Sequence, residues 1–321
     1  MKDKGMVLGI DTSNYTTSIA LVDLKGNILL DKRKILDVKI GERGLRQSDA
    51  LFQHVNNMPI LFNEIEKFTR DYQICTVSAS SKPRPVENSY MPVFLAGQSF
   101  GQTIAKTLHC PYFACSHQEN HIEAACSTIH ESFETDFIAV HMSGGTTEIL
   151  KIHKNENHAG PYAVEIIGGT SDLSAGQFID RVGVALGFSF PAGKSMDNLA
   201  LAANEDDLHI TVSVQQGIIS YSGPETMAQK FIQSNRNPNN IARAVLENIA
   251  LSLEKAITFC CMQTGIKNVI FIGGVASSQF LNKYFTNRQN KYFTIYFAKR
   301  ELCTDNAVGT ALLGLRYYRS L

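Results

Sequence analysis

Residues 137–152 read F-I-A-V-H-M-S-G-G-T-T-E-I-L-K-I. An apolar run from Phe137 to Met142 meets the small polar turn Ser143-Gly144-Gly145-Thr146-Thr147-Glu148, and the apolar pattern resumes at Ile149. That order predicts strand, turn, strand. The start of the chain repeats it. Met6 to Ile10 is apolar, Asp11 is followed by the polar cluster Thr12-Ser13-Asn14, and a strand pattern resumes from Thr17 to Val22 before Gly26-Asn27 turns into Ile28-Leu29-Leu30. A hairpin that recurs with a small polar tip predicts two related lobes facing a nucleotide cleft. Glycines at 144 and 145 let backbone N–H groups approach phosphate oxygens, although the same residues also make ordinary turns. Asp11 and Ser13, expected at the first tip, read either as contacts to a phosphate or its Mg²⁺, or as a plain polar turn.

Working outward, Asn268–Ile272 is a short apolar strand that runs into Gly273-Gly274-Val275-Ala276-Ser277-Ser278, with a helix expected from about Gln279. Strand, glycine pair, helix is a layout in which a base or ribose can lie over backbone. Helical spacing is expected over Gly176–Leu186, Ser195–Ala203 and Asn240–Thr264, the last ending at Gly265. Asp180 on the first of these reads as a ribose ligand or a solvated carboxylate, and Pro191-Ala192-Gly193-Lys194 breaks that helix. In the first half, helices are expected over Asp49–Phe68, kinked or split at Pro59, and over Val93–Leu108, where Gly97 and Gly101 permit close packing. Strands are expected at Cys75–Ala79 and Pro111–Cys115, with Lys82 and Arg84 on a proline-containing loop between, placed to meet phosphate. Gly41–Ser48, with two arginines, reads as a solvated loop.

Ser116–Glu123 reads S-H-Q-E-N-H-I-E. On a helix, His117 and His121 project from one face, one turn apart, a geometry that suits a metal as well as it suits two surface histidines. A zinc-protease reading is weaker, because Gln118 stands where H-E-x-x-H needs its glutamate and Glu119 comes one place late. Cys303-Thr304-Asp305-Asn306 opens the terminal helix, so Asp305 reads as a cap or as a third ligand.

Composition sets outer bounds. The 321 residues are 44% hydrophobic, enough for a sizeable core and for two lobes. Thirty basic residues balance thirty acidic ones, so a nucleic-acid partner would have to use a local patch. Seven cysteines without framework spacing read as reduced thiols. No targeting segment and no membrane span is found, which gives a cytoplasmic expectation.

Taken in order, G-I-D-T-S, H-x-x-x-H, S-G-G-x-T, G-x-x-x-D, P-x-G, G-G-V and C-T-D-N resemble the TsaD/Gcp family of tRNA threonylcarbamoyladenosine synthase subunits, once catalogued as O-sialoglycoprotein endopeptidases. The resemblance covers nearly the whole chain. It implies an α/β, actin-like and sugar-kinase-like (ASKHA) fold of two ribonuclease-H-type lobes with an interlobe cleft. The first lobe is expected over 1–120 with the helix of 302–321 packing back, and the second over 121–301 with a helical insertion at about 190–240. It further implies that His117, His121 and Asp305 hold one divalent metal, iron or zinc. Ser143, Gly144, Gly145, Thr146, Thr147, Asp180, Gly193, Gly273, Gly274 and Ser278 would then contact threonylcarbamoyl-AMP or ATP/ADP. The implied partners are tRNA, a TsaB-like dimerisation subunit and a TsaE-like ATPase subunit, with no membrane. Some positions depart from the family pattern: Lys82-Pro83-Arg84-Pro85 replaces a glycine-proline-glycine loop, and Thr146, Glu225 and Ser278 stand at substrate-side positions. They motivate a second expectation, a divergent paralogue that binds nucleotide and metal with another carbamoyl acceptor or a regulatory role.

Overall fold

The computed structural model describes residues 4–13, 15–38, 45–129, 136–154, 162–203, 208–288 and 290–321. Four residues of the arginine-bearing loop, 41–44, and position 14 of the first tip lie outside them. The described residues form two compact units. One takes the chain through residue 129, residues 162–163 and Thr304–Leu321, and the other takes 136–154 and Val164–Cys303.

The first unit is built on a five-stranded sheet of β1 (Lys4–Thr12), β2 (Thr16–Asp23), β3 (Ile28–Ile35), β4 (Tyr72–Lys82) and β5 (Tyr112–Ser116) in the order β3-β2-β1-β4-β5. β1 is antiparallel to β2 and parallel to β4, which is parallel to β5. Its helices are α1 (Gln47–Phe62), α2 (Glu66–Thr69), α3 (Phe94–Thr107) and α4 (His117–Cys126), joined by the C-terminal helix described below. Period-two alternation divides β1 between two covered faces. Met6, Leu8 and Ile10 pack in one cluster with Met58 and Leu61 of α1 and Ala105 of α3. Gly9 takes the other face, where a Cβ would stand 2.5 Å from the Ala311 nitrogen and 2.6 Å from the Ala307 carbonyl oxygen. Asp11 shares the parity of Gly9. Gly97 lets α3 approach Thr12, whose hydroxyl accepts from the Gly97 N–H at 3.1 Å.

The second unit repeats the plan. Its strands are β6 (Phe137–Met142), β7 (Thr147–Lys154), β8 (Tyr162–Thr170), β9 (Val214–Gln215), β10 (Ile218–Ile219), β11 (Asn268–Ile272) and β12 (Thr294–Phe297), in the order β12-β11-β6-β7-β8-β10-β9. β6 is antiparallel to β7 and parallel to β11, which is parallel to β12. Read from β8 to β12, the order and these senses match those of the first sheet. The helices are α5 (Ala175–Ala185), α6 (Gly193–Ala202), α7 (Ser222–Gln233), α8 (Pro238–Thr264), α9 (Gln279–Thr286), α10 (Arg300–Cys303) and α11 (Val308–Ser320), of which α11 lies in the first unit and contacts β1, β4 and α4. α8 buries Ile241, Val245, Ile249, Leu253 and Ile257, and ends at Gly265 in the left-handed region at φ 72°. The duplicated α/β sheet plan is the one expected from the paired hairpins.

Three local readings change. Asp11 does not sit at a hairpin tip: β1 continues through it to Thr12, pairing it with Ser18. Pro59 does not split its helix, because α1 runs unbroken through it to Phe62. Asp305 does not cap α11, since the helix starts at Val308 and Asn306 Oδ1 accepts the Val308 N–H instead. The strands β8, β9 and β10 carried no apolar run that sequence reading singled out; β8 exposes Ala163, Glu165 and Ile166.

Candidate functional site

α4 starts where its sequence dictates. Ser116 accepts the Glu119 N–H at 3.2 Å and the Glu119 carboxylate accepts the Ser116 N–H at 2.8 Å, a reciprocal capping box. The pattern S-H-Q-E announces this, and it fixes the first turn on which His117 stands. Glu119 is 3% exposed and also accepts the Ser116 hydroxyl, so the carboxylate that a protease reading would use as a base is occupied by the cap. Asn120 holds α4 to the C-terminal segment: its amide donates to the Asn306 carbonyl and its Oδ1 accepts the Thr310 N–H.

These contacts bring His117, His121 and Asp305 together. His117 Nε2 and His121 Nε2 are 3.1 Å apart, and Asp305 Oδ1 lies 3.4 Å from the latter and 3.6 Å from the former. Ligands about 2.0–2.2 Å from one ion at tetrahedral angles stand about 3.3–3.6 Å apart. The three donors fit a metal. Their surroundings agree, since the far side of each outer ligand is held. His117 Nδ1 contacts Asp11 Oδ1 at 2.9 Å, and the Ser13 hydroxyl donates to Asp305 Oδ2 at 2.6 Å. A carboxylate behind a histidine fixes the tautomer that leaves Nε2 free to ligate.

Electrostatics points the same way. Burial drives the His117 imidazole down, but the carboxylates of Asp11 and Asp305 outweigh it and push its pKa up to about 10. Burial raises Asp305, while hydrogen bonds and charge from His117 and His121 hold it well below the usual carboxylate range. The two carboxylates flank the His117 ring, Asp11 at Nδ1 and Asp305 on the Nε2 side, and favour positive charge there; Asp11 Oδ2, fully buried, has no hydrogen-bond partner among the described residues.

Sequence reading missed two supports. Ser80 on β4 donates to Asp11 Oδ1. His54 on α1, fully buried, contacts the Ser13 carbonyl oxygen through Nε2 at 2.7 Å and Thr17 Oγ1 through Nδ1 at 2.9 Å. The only signal for His54 was a histidine on the inward face of an amphipathic helix. Lys82 ends β4, opposite Ser116, and the Pro83 carbonyl accepts the Gln118 N–H, so this loop lies over the first turn of α4. The Arg84 N–H donates to Ser89 Oγ.

In the second unit the nucleotide-side candidates fall into two linked groups. Ser143 to Thr147 closes a turn through the Ser143 N–H to the Thr146 carbonyl, with the Ser143 hydroxyl accepting the Thr146 N–H at 3.1 Å. Gly144 and Gly145 are exposed, with open space where a Cβ would point. Thr147 is buried and anchors the start of α5 by accepting the Ala175 N–H at 2.8 Å. Gly176 must be glycine, because a Cβ would strike the Ser143 carbonyl and the Gly144 Cα. Gly273, at φ 92°, abuts the Met142 carbonyl, so the β11 turn lies against the end of β6.

The second group is Asp180, Gly193 and Ser278. Asp180 accepts the Ala192 N–H at 2.8 Å, and burial raises its carboxyl. Gly193 opens α6 with open space around it, as does Gly274 in the turn before α9. The Ser278 hydroxyl donates to Asp197 Oδ1 at 2.5 Å, and Asp197 also accepts the Gln279 and Phe280 N–H groups, capping α9 from α6. Asp197 is a further residue that sequence reading missed.

Comparison with known proteins places the chain as a whole. A TsaD relative from Thermotoga neapolitana named tRNA N6-adenosine threonylcarbamoyltransferase is 25% identical over 96% of this chain and 93% of its own length. Among solved structures, T. kodakarensis HypF superposes with a TM-score of 0.62 at 14% identity, covering 99% of this chain and 48% of its own. A ROK family glucokinase from Streptomyces griseus, solved with glucose and AMPPNP, gives 0.53 at 10% identity, covering 97% and 99%. These likenesses establish the actin-like, sugar-kinase-like (ASKHA) fold. The family model for tRNA N6-adenosine threonylcarbamoyltransferase matches residues 91–312, and this chain belongs to that acyltransferase family, TsaD.

Proposed function

We propose that this chain transfers the threonylcarbamoyl group from threonylcarbamoyl-AMP to the N6 amine of an adenosine in the anticodon loop of tRNA, with a divalent iron or zinc ion at His117, His121 and Asp305. The observation that carries the reading is the convergence of those three donors in a member of this family. When bound, the ion supplies a Lewis acid at the donor's carbamoyl-phosphate group. The adenine amine attacks the carbamoyl carbon, the C–O bond to the phosphate breaks, AMP leaves with that electron pair, and the amine gives up one proton. In this reading Asp11 and Ser13, which contact His117 and Asp305, support the metal site and leave phosphate contact to other residues. The Ser143–Thr147 turn and Gly274 offer open backbone to the adenylate phosphate and ribose, and Asp180 and Gly193 stand together as ribose contacts. Much of the rate then comes from holding amine and anhydride in line.

In this reading tRNA is delivered with help from a TsaB-like dimerisation subunit and a TsaE-like ATPase subunit in the cytoplasm. Among the described residues no helix is long and apolar enough to cross a membrane. A second reading, a paralogue with another carbamoyl acceptor or a regulatory role, is favoured by one observation: the Ser278 hydroxyl is committed to Asp197 and the α9 cap. Nucleoside mass spectrometry of total tRNA from cells depleted of the protein separates the two. Loss of threonylcarbamoyladenosine supports the transferase; an unchanged level removes it in favour of the second reading.

A further inference from the structure

The balanced net charge of the chain requires any polyanion to find a local surface, and the second unit carries one away from its glycine turns. Two adjoining depressions of about 590 and 520 Å³ meet at Leu251 of α8. Arg243, Lys283 and Arg288 line the first, and Lys255 and Lys291 line the second. Among the described residues that line them, two carboxylates, Glu247 and Glu254, stand against these five cations. Each is bound to an arginine: Glu247 to Arg243 at 2.8 Å and Glu254 to Arg288 at 3.7 Å. The three lysines are exposed and have no carboxylate partner among the described residues. They form the uncompensated part of the surface.

Aromatic faces alternate with this charge. The Arg288 guanidinium lies 4.2 Å from the Tyr284 ring centroid and the Lys291 ammonium lies 4.9 Å from that of Tyr292, while Phe280 lines the first depression. Tyr284 is fixed by donating its hydroxyl to Glu254 at 2.9 Å. The α8 residues that line the groove run from Arg243 to Thr258, about 22 Å of helix at 1.5 Å per residue. A compact anion fills one depression; a groove of this length with spaced cations and aromatic platforms fits an extended chain of phosphates and bases.

We propose that this α8–α9 groove is a docking surface for a single-stranded segment of RNA. Lys255, Lys283 and Lys291 contact successive phosphates, and Tyr292 and the Tyr284–Arg288 stack present platforms for bases. The assignment rests on the reading of the chain as an RNA-modifying enzyme and names where that RNA is held. It uses no residue of the metal site or of the glycine turns.

The test is fluorescence anisotropy of a labelled tRNA transcript with full-length protein and with the triple variant Lys255→Glu, Lys283→Glu, Lys291→Glu, at 50 and 200 mM salt, beside transfer kinetics and melting curves. The expected result is at least a tenfold loss of affinity at 50 mM salt and a salt slope smaller by about 2, from three lost phosphate contacts at about 0.7 each. KM for tRNA rises, kcat and the melting temperature hold, and the single variant Lys283→Glu shows an intermediate loss. Wild-type protein that binds and modifies tRNA while the variant matches it overturns the groove and leaves the transferase reading intact. Variant protein that loses RNA binding when wild type, supplied with its partner subunits, transfers nothing supports the groove and removes the transferase reading. Wild-type protein that ignores the transcript but binds labelled polyglutamate through the same lysines overturns the proposal in favour of an acidic protein segment.

Discussion

The two hairpin tips sit at equivalent places in two sheets of the same order, yet they are built for different work. In the first unit the end of β1 and the turn that follows it are sealed: Asp11 in the strand is fully buried, Ser13 in the turn is 3% exposed, and both are hydrogen-bonded to residues that converge on the three-donor cluster. In the second unit the tip of β6 is open, with Gly144 and Gly145 exposed and empty space where side chains would stand. One scaffold thus offers buried polar side chains along the end of β1 and bare backbone at the turn after β6. Duplicated topology does not imply duplicated chemistry, because burying the polar residues at one tip commits them to one another.

The contrast breaks most sharply at the ligands. His117→Ala or Asp305→Ala should lose about one equivalent of metal and lower transfer at least about 100-fold, a floor taken from the 10–100-fold typical of outer-shell losses. Inductively coupled plasma mass spectrometry on the purified variants checks this, and chelation should lower the melting temperature of wild type but not of either variant.

Two glycines divide the units. A Cβ on Gly309 would land on the Asn120 carbonyl, prising α11 from α4, while one on Gly176 would strike the Ser143 carbonyl. Each alanine variant should lose about 1–3 kcal/mol of stability, as overpacking does. Gly309→Ala should lower metal content and leave adenine-nucleotide binding near wild type, and Gly176→Ala should do the reverse. Calorimetric titration with ADP beside metal analysis reads both; equal loss of both properties in both variants would erase the division of labour.

Asp11→Asn tests the sealed end of β1 more finely. The amide keeps the shape but removes the charge behind His117, so metal affinity should fall about 10–100-fold while the fold and nucleotide binding persist. Competition with a chromophoric chelator measures it.

The smallest effect belongs to the second unit. Burial raises the Asp172 carboxyl, but hydrogen bonds from Ser220, Ser222 and the Tyr221 N–H outweigh it and hold the group well below 3.8. A depressed folded pKa contributes stability that is present above the unfolded value and is lost as pH falls through the folded one. Asp172→Asn should therefore cost a few tenths to about 1 kcal/mol at pH 7, as a partly exposed cap does. The gap to wild type should close as urea unfolding is repeated below pH 4. A gap independent of pH would show that the carboxylate charge contributes nothing there.

Much of this architecture was legible in the residues. The period-two runs around Asp11 and Ser143 predicted paired hairpins, Gly265 marked the end of α8, and Asn268–Ile272 is a strand over its full expected length. The spacing of His117 and His121 suited a metal pair, Asp305 read as a cap or a third ligand, and the structure brings the three side chains together. What stayed hidden was long-range or local in competing ways. His54 and Ser80 reach Asp11 and Ser13 only through tertiary packing. The strand through Asp11 was misplaced because D-T-S looks like a turn, although pairing with Ser18 continues the ladder beyond Ile10. Asp305 looked like a cap because it precedes a helix, yet Asn306 is one residue closer to Val308 and takes that role.

The most direct test of the whole account is a reconstituted reaction in which metal-loaded protein is incubated with threonylcarbamoyl-AMP and unmodified tRNA, and digested nucleosides are quantified by mass spectrometry. The account predicts threonylcarbamoyladenosine and AMP in equal amounts from wild type, and neither above background from Asp305→Ala. Modification at the wild-type rate by Asp305→Ala would contradict the assignment of chemistry to the cluster of His117, His121 and Asp305.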